Sequence, residues 1–135
     1  LSSFAFDSSV AGIFWTLCTG GRLVLPPQDF QQEPHALAEL IAQHQASYLL
    51  AIPSFYSLIL TQTDLAKLAS LRAVIVAGET CPTELVKSHY ERLPNTTLFN
   101  EYGPTEATVW CTVYKCRFPE ERSQVPIGRA IANAK

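Results

Sequence analysis

Apolar and polar positions recur along the chain in two rhythms, and these rhythms predict its elements. Phe4-Ala5-Phe6 is a short apolar run, and Asp7-Ser8-Ser9 offers residues that cap a helix start. Val10 to Cys18 is apolar at almost every position and predicts a helix buried on most sides, stopped by Gly20-Gly21. Arg22 to Leu25, ended by Pro26-Pro27, predicts a short strand, and Gln28 to Glu33 a polar loop. Pro34 suits a first helical turn, and Leu37, Leu40 and Ile41 then recur at helical spacing through Gln45. Tyr48 to Ile52 carries no charge and stops at Pro53, as a buried strand does. Ser54 can cap a short helix containing Tyr56, Leu58, Ile59 and Leu60, and Thr63 to Ser70 supports a further helical turn or two. Arg72 to Ala77 is the clearest buried strand, ended by Gly78. Pro82 and Glu84 mark a helix running to about Leu93, broken by Pro94-Asn95. Thr97 to Asn100 predicts the next strand. Thr108 to Cys116 alternates β-branched and aromatic residues and predicts a longer strand, antiparallel or at an edge. Pro119 to Gln124 reads as a polar loop and Val125 to Arg129 as a turn.

Short uncharged strands alternating with amphipathic helices predict an α/β fold, a mostly parallel sheet flanked by helices on both faces. Ligands of such folds bind beyond the carboxyl ends of the strands. Pro26-Pro27, Pro53-Ser54, Gly78-Glu79-Thr80 and Glu101-Tyr102-Gly103 fall there, so several loops rich in Gly, Pro and small polar groups share one rim. Asn100 to Glu106 presents an aromatic, a hydroxyl and a carboxylate. These can hold a flat ring, a phosphate oxygen and Mg²⁺. Residue types alone leave this stretch as either a ligand loop or a polar turn. Gly78-Glu79-Thr80 is likewise either a plain strand-to-helix turn or a close approach to a ligand. Asp7 is either a helix cap or a free carboxylate.

Composition narrows the partners. A length of 135 residues suits one domain, and the 16% of charged residues is low enough to suggest surface that packs against something else. A net charge of −2 gives no basic footprint for nucleic acid. Cys18, Cys81, Cys111 and Cys116 show no metal-ligand spacing and read as buried reduced thiols of a cytoplasmic protein. His35, His44 and His89 fall on polar helical stretches and read as solvated surface. No apolar run is long enough to span a membrane, and no stretch of this sequence reads as a signal peptide. The chain begins without Met and ends after a Pro/Gly-rich stretch, so an internal piece is expected. G-x-x-x-x-G-K-S/T, G-x-G-x-x-G and G-x-S-x-G motifs do not occur.

Asn100-Glu101-Tyr102-Gly103-Pro104-Thr105-Glu106 resembles the N-x-Y-G-P-T-E motif of amino-acid adenylation domains of non-ribosomal peptide synthetases. Phe6-Asp7-Ser8-Ser9-Val10 resembles that family's F-D-x-S motif, and Val125 to Asn133 its P-I-G-R-P-I-x-N stretch. Val74 to Glu79 is similar to its V-I-x-G-G-E strand. Four motifs in order span essentially the whole chain. Within the wider superfamily, F-D-x-S and P-I-G-R-P-I-x-N favour the peptide-synthetase branch over acyl- or aryl-CoA ligases.

The resemblance implies the second, flavodoxin-like subdomain of an adenylation domain's large N-terminal domain, over residues 1–135. It implies formation of aminoacyl-AMP and pyrophosphate from an α-amino acid and ATP, and transfer of the acid to a carrier thiol. Phe6 would lie beside the substrate carboxylate, and Asp7 would bind its α-ammonium. Gly78, Glu79 and Thr80 would line one side of adenine, and Glu101 and Tyr102 the other, within the Asn100 to Thr105 loop. Thr105 would contact phosphate and Glu106 would ligate Mg²⁺, the pair assigned to the reaction itself. Asp7, Ser8, Ala11, Leu50, Ile75, Ala77, Glu101, Val109 and Trp110 would form the side-chain pocket, whose residue types favour an aromatic or apolar amino acid. Implied partners are peptidyl carrier domains bearing phosphopantetheine, and condensation domains, of the same synthetase. The family's phosphate loop and its C-terminal lid domain with the late lysine are absent, so the chain alone is expected to be inactive. Two other readings are an acyl- or aryl-CoA ligase fragment and a non-catalytic nucleotide- or flavin-binding α/β module.

Overall fold

The computed structural model describes residues 5–27, 33–120 and 122–134. Phe4 and most of the loop expected over Gln28 to Glu33 lie outside the described residues. The element order is α1 (Ser8–Cys18), α2 (Pro34–His44), β1 (Tyr48–Ala51), α3 (Pro53–Gln62), a 3-10 turn (Leu65–Leu68) and β2 (Ala73–Val76). It continues with α4 (Thr83–Arg92), β3 (Thr97–Tyr102), a second 3-10 turn (Thr105–Ala107), β4 (Thr112–Lys115) and β5 (Arg129–Ala130). The fold is α/β, and its sheet is mixed in the order β1-β2-β3-β4-β5. The first three strands pair parallel, and β3–β4 and β4–β5 pair antiparallel.

The topology decides which face is covered. Strands β1 to β3 are added in chain order, and right-handed crossovers moving in one direction keep their helices on one face. Leu37 and Ile41 of α2, Tyr56, Ile59 and Leu60 of α3, and Leu85 and Val86 of α4 pack there on Leu49, Ala51, Val74, Val76 and Leu98. Helices on both faces were expected; among the described residues α1 is the helix that meets the second face, beside the Thr108 to Trp110 stretch. Trp15 of α1 touches Tyr48 edge-on at 5.4 Å. The expected burial of α1 is also corrected: none of its residues is buried, and Phe14 is 61% exposed. Apolarity reports what a helix can bury, and among the described residues α1 has a partner along one flank only.

Three other expectations change. No strand forms at Arg22 to Leu25. Arg22 instead donates from Nη2 to the His44 carbonyl at 3.0 Å. The strand expected over Thr108 to Cys116 shrinks to β4, since Thr108 and Val109 adopt left-handed φ values of 62° and 74° and cannot pair. The Val125 to Arg129 turn ends in β5, which pairs with Thr112 and Val113. Cys81 and Cys116 are buried as expected, but Cys18 lies on exposed α1 and Cys111 is half-buried in a loop.

His89 is fully buried, which corrects its assignment to the surface. The signal lies in its spacing: Leu85 and Val86, four and three residues earlier, share its helical face. Its Nε2 lies 2.7 Å from the Thr96 carbonyl, and its Nδ1 lies 2.6 Å from the Tyr56 hydroxyl. A carbonyl only accepts, so Nε2 carries the proton and Nδ1 accepts from Tyr56. Burial holds the His89 pKa below the ordinary value, against a smaller opposite pull from the Thr96 carbonyl. As pH falls, the unfolded chain therefore takes up this proton first. The stability from neutral His89 is complete above about pH 6.5 and is lost as pH falls toward the folded value. Thermal unfolding should show a midpoint that drops between pH 7 and pH 5, and a shallower drop in His89→Gln. Parallel pH profiles for the two proteins would contradict this.

Candidate functional site

The parallel register aligns Ala51 with Val76 and Val76 with Asn100, so three chains leave the sheet at one edge. The loops that follow are Ile52 to Ser54, Ala77 to Thr80 and Gly103 to Glu106, and Tyr102 ends β3 at the same edge. Gly78 turns at φ 87°, in the left-handed region where a side chain is strained. Glu79 then reaches across to the next loop. Its Oε2 accepts from the Ser54 N–H and its Oε1 from the Ser54 hydroxyl, both at 3.0 Å. Ser54 was expected to cap α3; it lies inside the first turn instead, and Glu79 supplies the acceptor from another loop.

Asn100 is buried, and its Nδ2 donates to the Pro126 carbonyl at 2.9 Å. That bond joins two of the sequence motifs, holding the Val125 to Arg129 turn against β3. Glu101 is half-buried, whereas Tyr102, Pro104, Thr105 and Glu106 are exposed along the rim. Thr108 and Val109 store backbone strain of about 1–3 kcal/mol each. Val109 is nevertheless only 7% exposed, because this backbone turns it inward.

A cavity of about 360 Å³ lies between this loop, α1 and the second face of the sheet. Ala11, Leu50, Glu101, Val109 and Trp110 of the expected side-chain pocket line it together. Ile75 lines an adjoining groove of about 420 Å³, which Glu101 and Trp15 share. Asp7, Ser8 and Ala77 line neither space. Asp7 stands at the N-cap position of α1 without making a side-chain cap bond, so the capping alternative does not hold. Phe6 is 66% exposed beside it. The sequence reading missed Phe14, Trp15 and Ile131 as cavity walls. Phe14 and Trp15 follow Ala11 by three and four residues, a helical spacing that marks one face.

Burial pushes the Glu101 carboxyl above the usual carboxylate range, and among the described residues no hydrogen bond offsets it. Among the described residues no group of three His, Cys, Asp or Glu side chains could hold a metal ion. The exposed Glu106 is a single hard oxygen donor. That fits Mg²⁺, which takes one or two carboxylates and completes its shell with phosphates and water. No helix of the described residues is long and apolar enough to cross a membrane.

Residues 1–135 match the model of the AMP-binding enzyme family. The chain belongs to that family. This AMP-binding enzyme chain is 47% identical over 133 residues to bacitracin synthase 3 of Bacillus licheniformis, covering 98% of itself and 2% of that protein. It superposes on the non-ribosomal peptide synthetase FmoA3, solved in an α-methyl-L-serine-AMP-bound form, with a TM-score of 0.89 and 28% identity, over 98% of this chain and 16% of that one. A second structure, of a non-ribosomal peptide synthetase protein containing adenylation and PCP domains, matches with a TM-score of 0.85 and 29% identity, over 98% of this chain and 26% of that one. The AMP-binding chain therefore spans a small part of each relative.

Proposed function

We propose that residues 1–135 form the second subdomain of the large N-terminal part of an amino-acid adenylation domain, within a longer synthetase. That enzyme joins an α-amino acid to ATP: a carboxylate oxygen bonds to the α-phosphorus, and pyrophosphate leaves. One observation carries this reading. A single strand end borders two sites, since Glu101 lines the cavity while Tyr102 to Glu106 run along the rim. Adenine fits between Tyr102 and the backbone of Gly78 to Thr80, which leaves the Glu79 carboxylate to its bonds with Ser54. Thr105 offers a hydroxyl to phosphate, and Glu106 offers a carboxylate to Mg²⁺. When bound, that ion offsets the charge developing on the departing pyrophosphate. Ala11, Leu50, Val109 and Trp110 receive the amino-acid side chain, with Asp7 at the α-ammonium. Asn100 supports the loop from beneath through Pro126.

The phosphate loop, the lid domain and its lysine belong to other parts of the synthetase, as do the carrier domain with its phosphopantetheine thiol and the condensation domain. We place the enzyme in the cytoplasm, where ATP is supplied. Asp7→Asn in the full-length enzyme tests the amino-acid reading. Losing a charge-assisted bond of roughly 1.5–3 kcal/mol should raise the amino-acid KM about 10- to 100-fold, with the ATP KM little changed. An unchanged amino-acid KM would remove Asp7 from ammonium recognition, and exchange driven by an aryl or fatty acid in its place would favour an acyl- or aryl-CoA ligase.

A further inference from the structure

Within the apolar cavity beside β3, Glu101 is a charged group without a partner among the described residues. It alternates with Thr97 and Phe99 toward the second face of the sheet, the face that carries Ile75. Leu50, Phe14, Trp15, Val109 and Trp110 surround the space it enters. Among the described residues its carboxylate makes no hydrogen bond and no ion pair. Arg72 lines the adjoining groove but lies at the opposite end of the strands, roughly 16 Å away along their direction.

We infer that this cavity selects an α-amino acid whose side chain ends in an N–H or O–H donor that reaches the Glu101 carboxylate. The inference rests on the ligase reading above and adds the substrate class. An aliphatic side chain filling the cavity would complete the desolvation of Glu101 without giving it a donor. An acidic side chain would bring a second negative charge to the same apolar space. A donor satisfies the carboxylate, and the aromatic walls suit a flat ring or a cation behind it. The raised carboxyl pKa, caused by burial, agrees with that geometry.

Shape-matched pairs test this in the full-length enzyme by amino-acid-dependent pyrophosphate exchange: tyrosine against phenylalanine, histidine against thienylalanine, lysine against norleucine, glutamine against glutamate. The best substrate should bear a donor and should exceed its donor-free partner at least about 100-fold in kcat/KM, since a buried polar group left unpaired discriminates strongly. In Glu101→Leu that ratio should fall below about 10. Preference for phenylalanine, norleucine or another donor-free side chain would overturn the inference and leave the ligase reading standing. So would an unchanged ratio in Glu101→Leu. If that variant does not fold, the wild-type panel alone decides. Exchange with no amino acid at all would overturn both readings.

Discussion

Glu106→Gln should lower amino-acid-dependent pyrophosphate exchange by the full-length enzyme about 100-fold, equivalent to about 2.7 kcal/mol. Glu106 lies in the short 3-10 turn Thr105–Ala107, one step past the end of β3, with Pro104 fixing the entry to the turn. Its side chain is exposed and makes no hydrogen bond or ion pair among the described residues. Glutamine keeps the shape and removes the charge. Substitution at an exposed position without partners changes stability by about 0.5 kcal/mol or less, so loss of activity without loss of folding separates a ligand role from a structural one. The variant should also require more free Mg²⁺ for half-maximal exchange. Equal activity and an unchanged Mg²⁺ dependence would remove Glu106 from metal binding.

Gly103→Ala should cost both stability and activity. A Cβ at this position would lie 2.6 Å from the Trp110 Cα and 2.8 Å from the Cys111 nitrogen, and closer still to the Val109 carbonyl oxygen. All three are backbone atoms, which cannot rotate away as a side chain can. They belong to the loop that presents Val109 and Trp110 to the cavity, where the Cys111 N–H bonds the Tyr102 carbonyl at 2.9 Å. Overpacking of this kind costs roughly 1–3 kcal/mol. A displacement of about 1 Å at a reacting site can lower rate about 100-fold. Melting and exchange measured on the same preparation should both fall. A variant with wild-type melting and exchange would show that the two loops do not meet here.

Sequence pattern revealed the elements governed by local order. Ala73–Val76 and Thr83–Arg92 fall almost where uncharged β-branched residues and a Pro-Thr-Glu helix start place them. It did not reveal what depends on distant contacts. The Asn100–Pro126 bond spans 26 residues and the Glu79–Ser54 pair 25, and neither leaves a periodic trace. Val109, β-branched, reads as a strand residue, yet its left-handed backbone ends the pairing and turns it into the cavity. Five of the nine residues expected in the side-chain pocket share one cavity. Helical spacing puts Phe14 and Trp15 on the face of Ala11, but that this face meets the sheet depends on the distant contact of Trp15 with Tyr48.

The most direct test of the account is pyrophosphate exchange by the wild-type full-length enzyme, with ATP, Mg²⁺ and each of a panel of amino acids, aryl acids and fatty acids. Exchange should require an α-amino acid and both ATP and Mg²⁺. Exchange driven by an aryl or fatty acid, or nucleotide binding with no exchange for any acid, would contradict it.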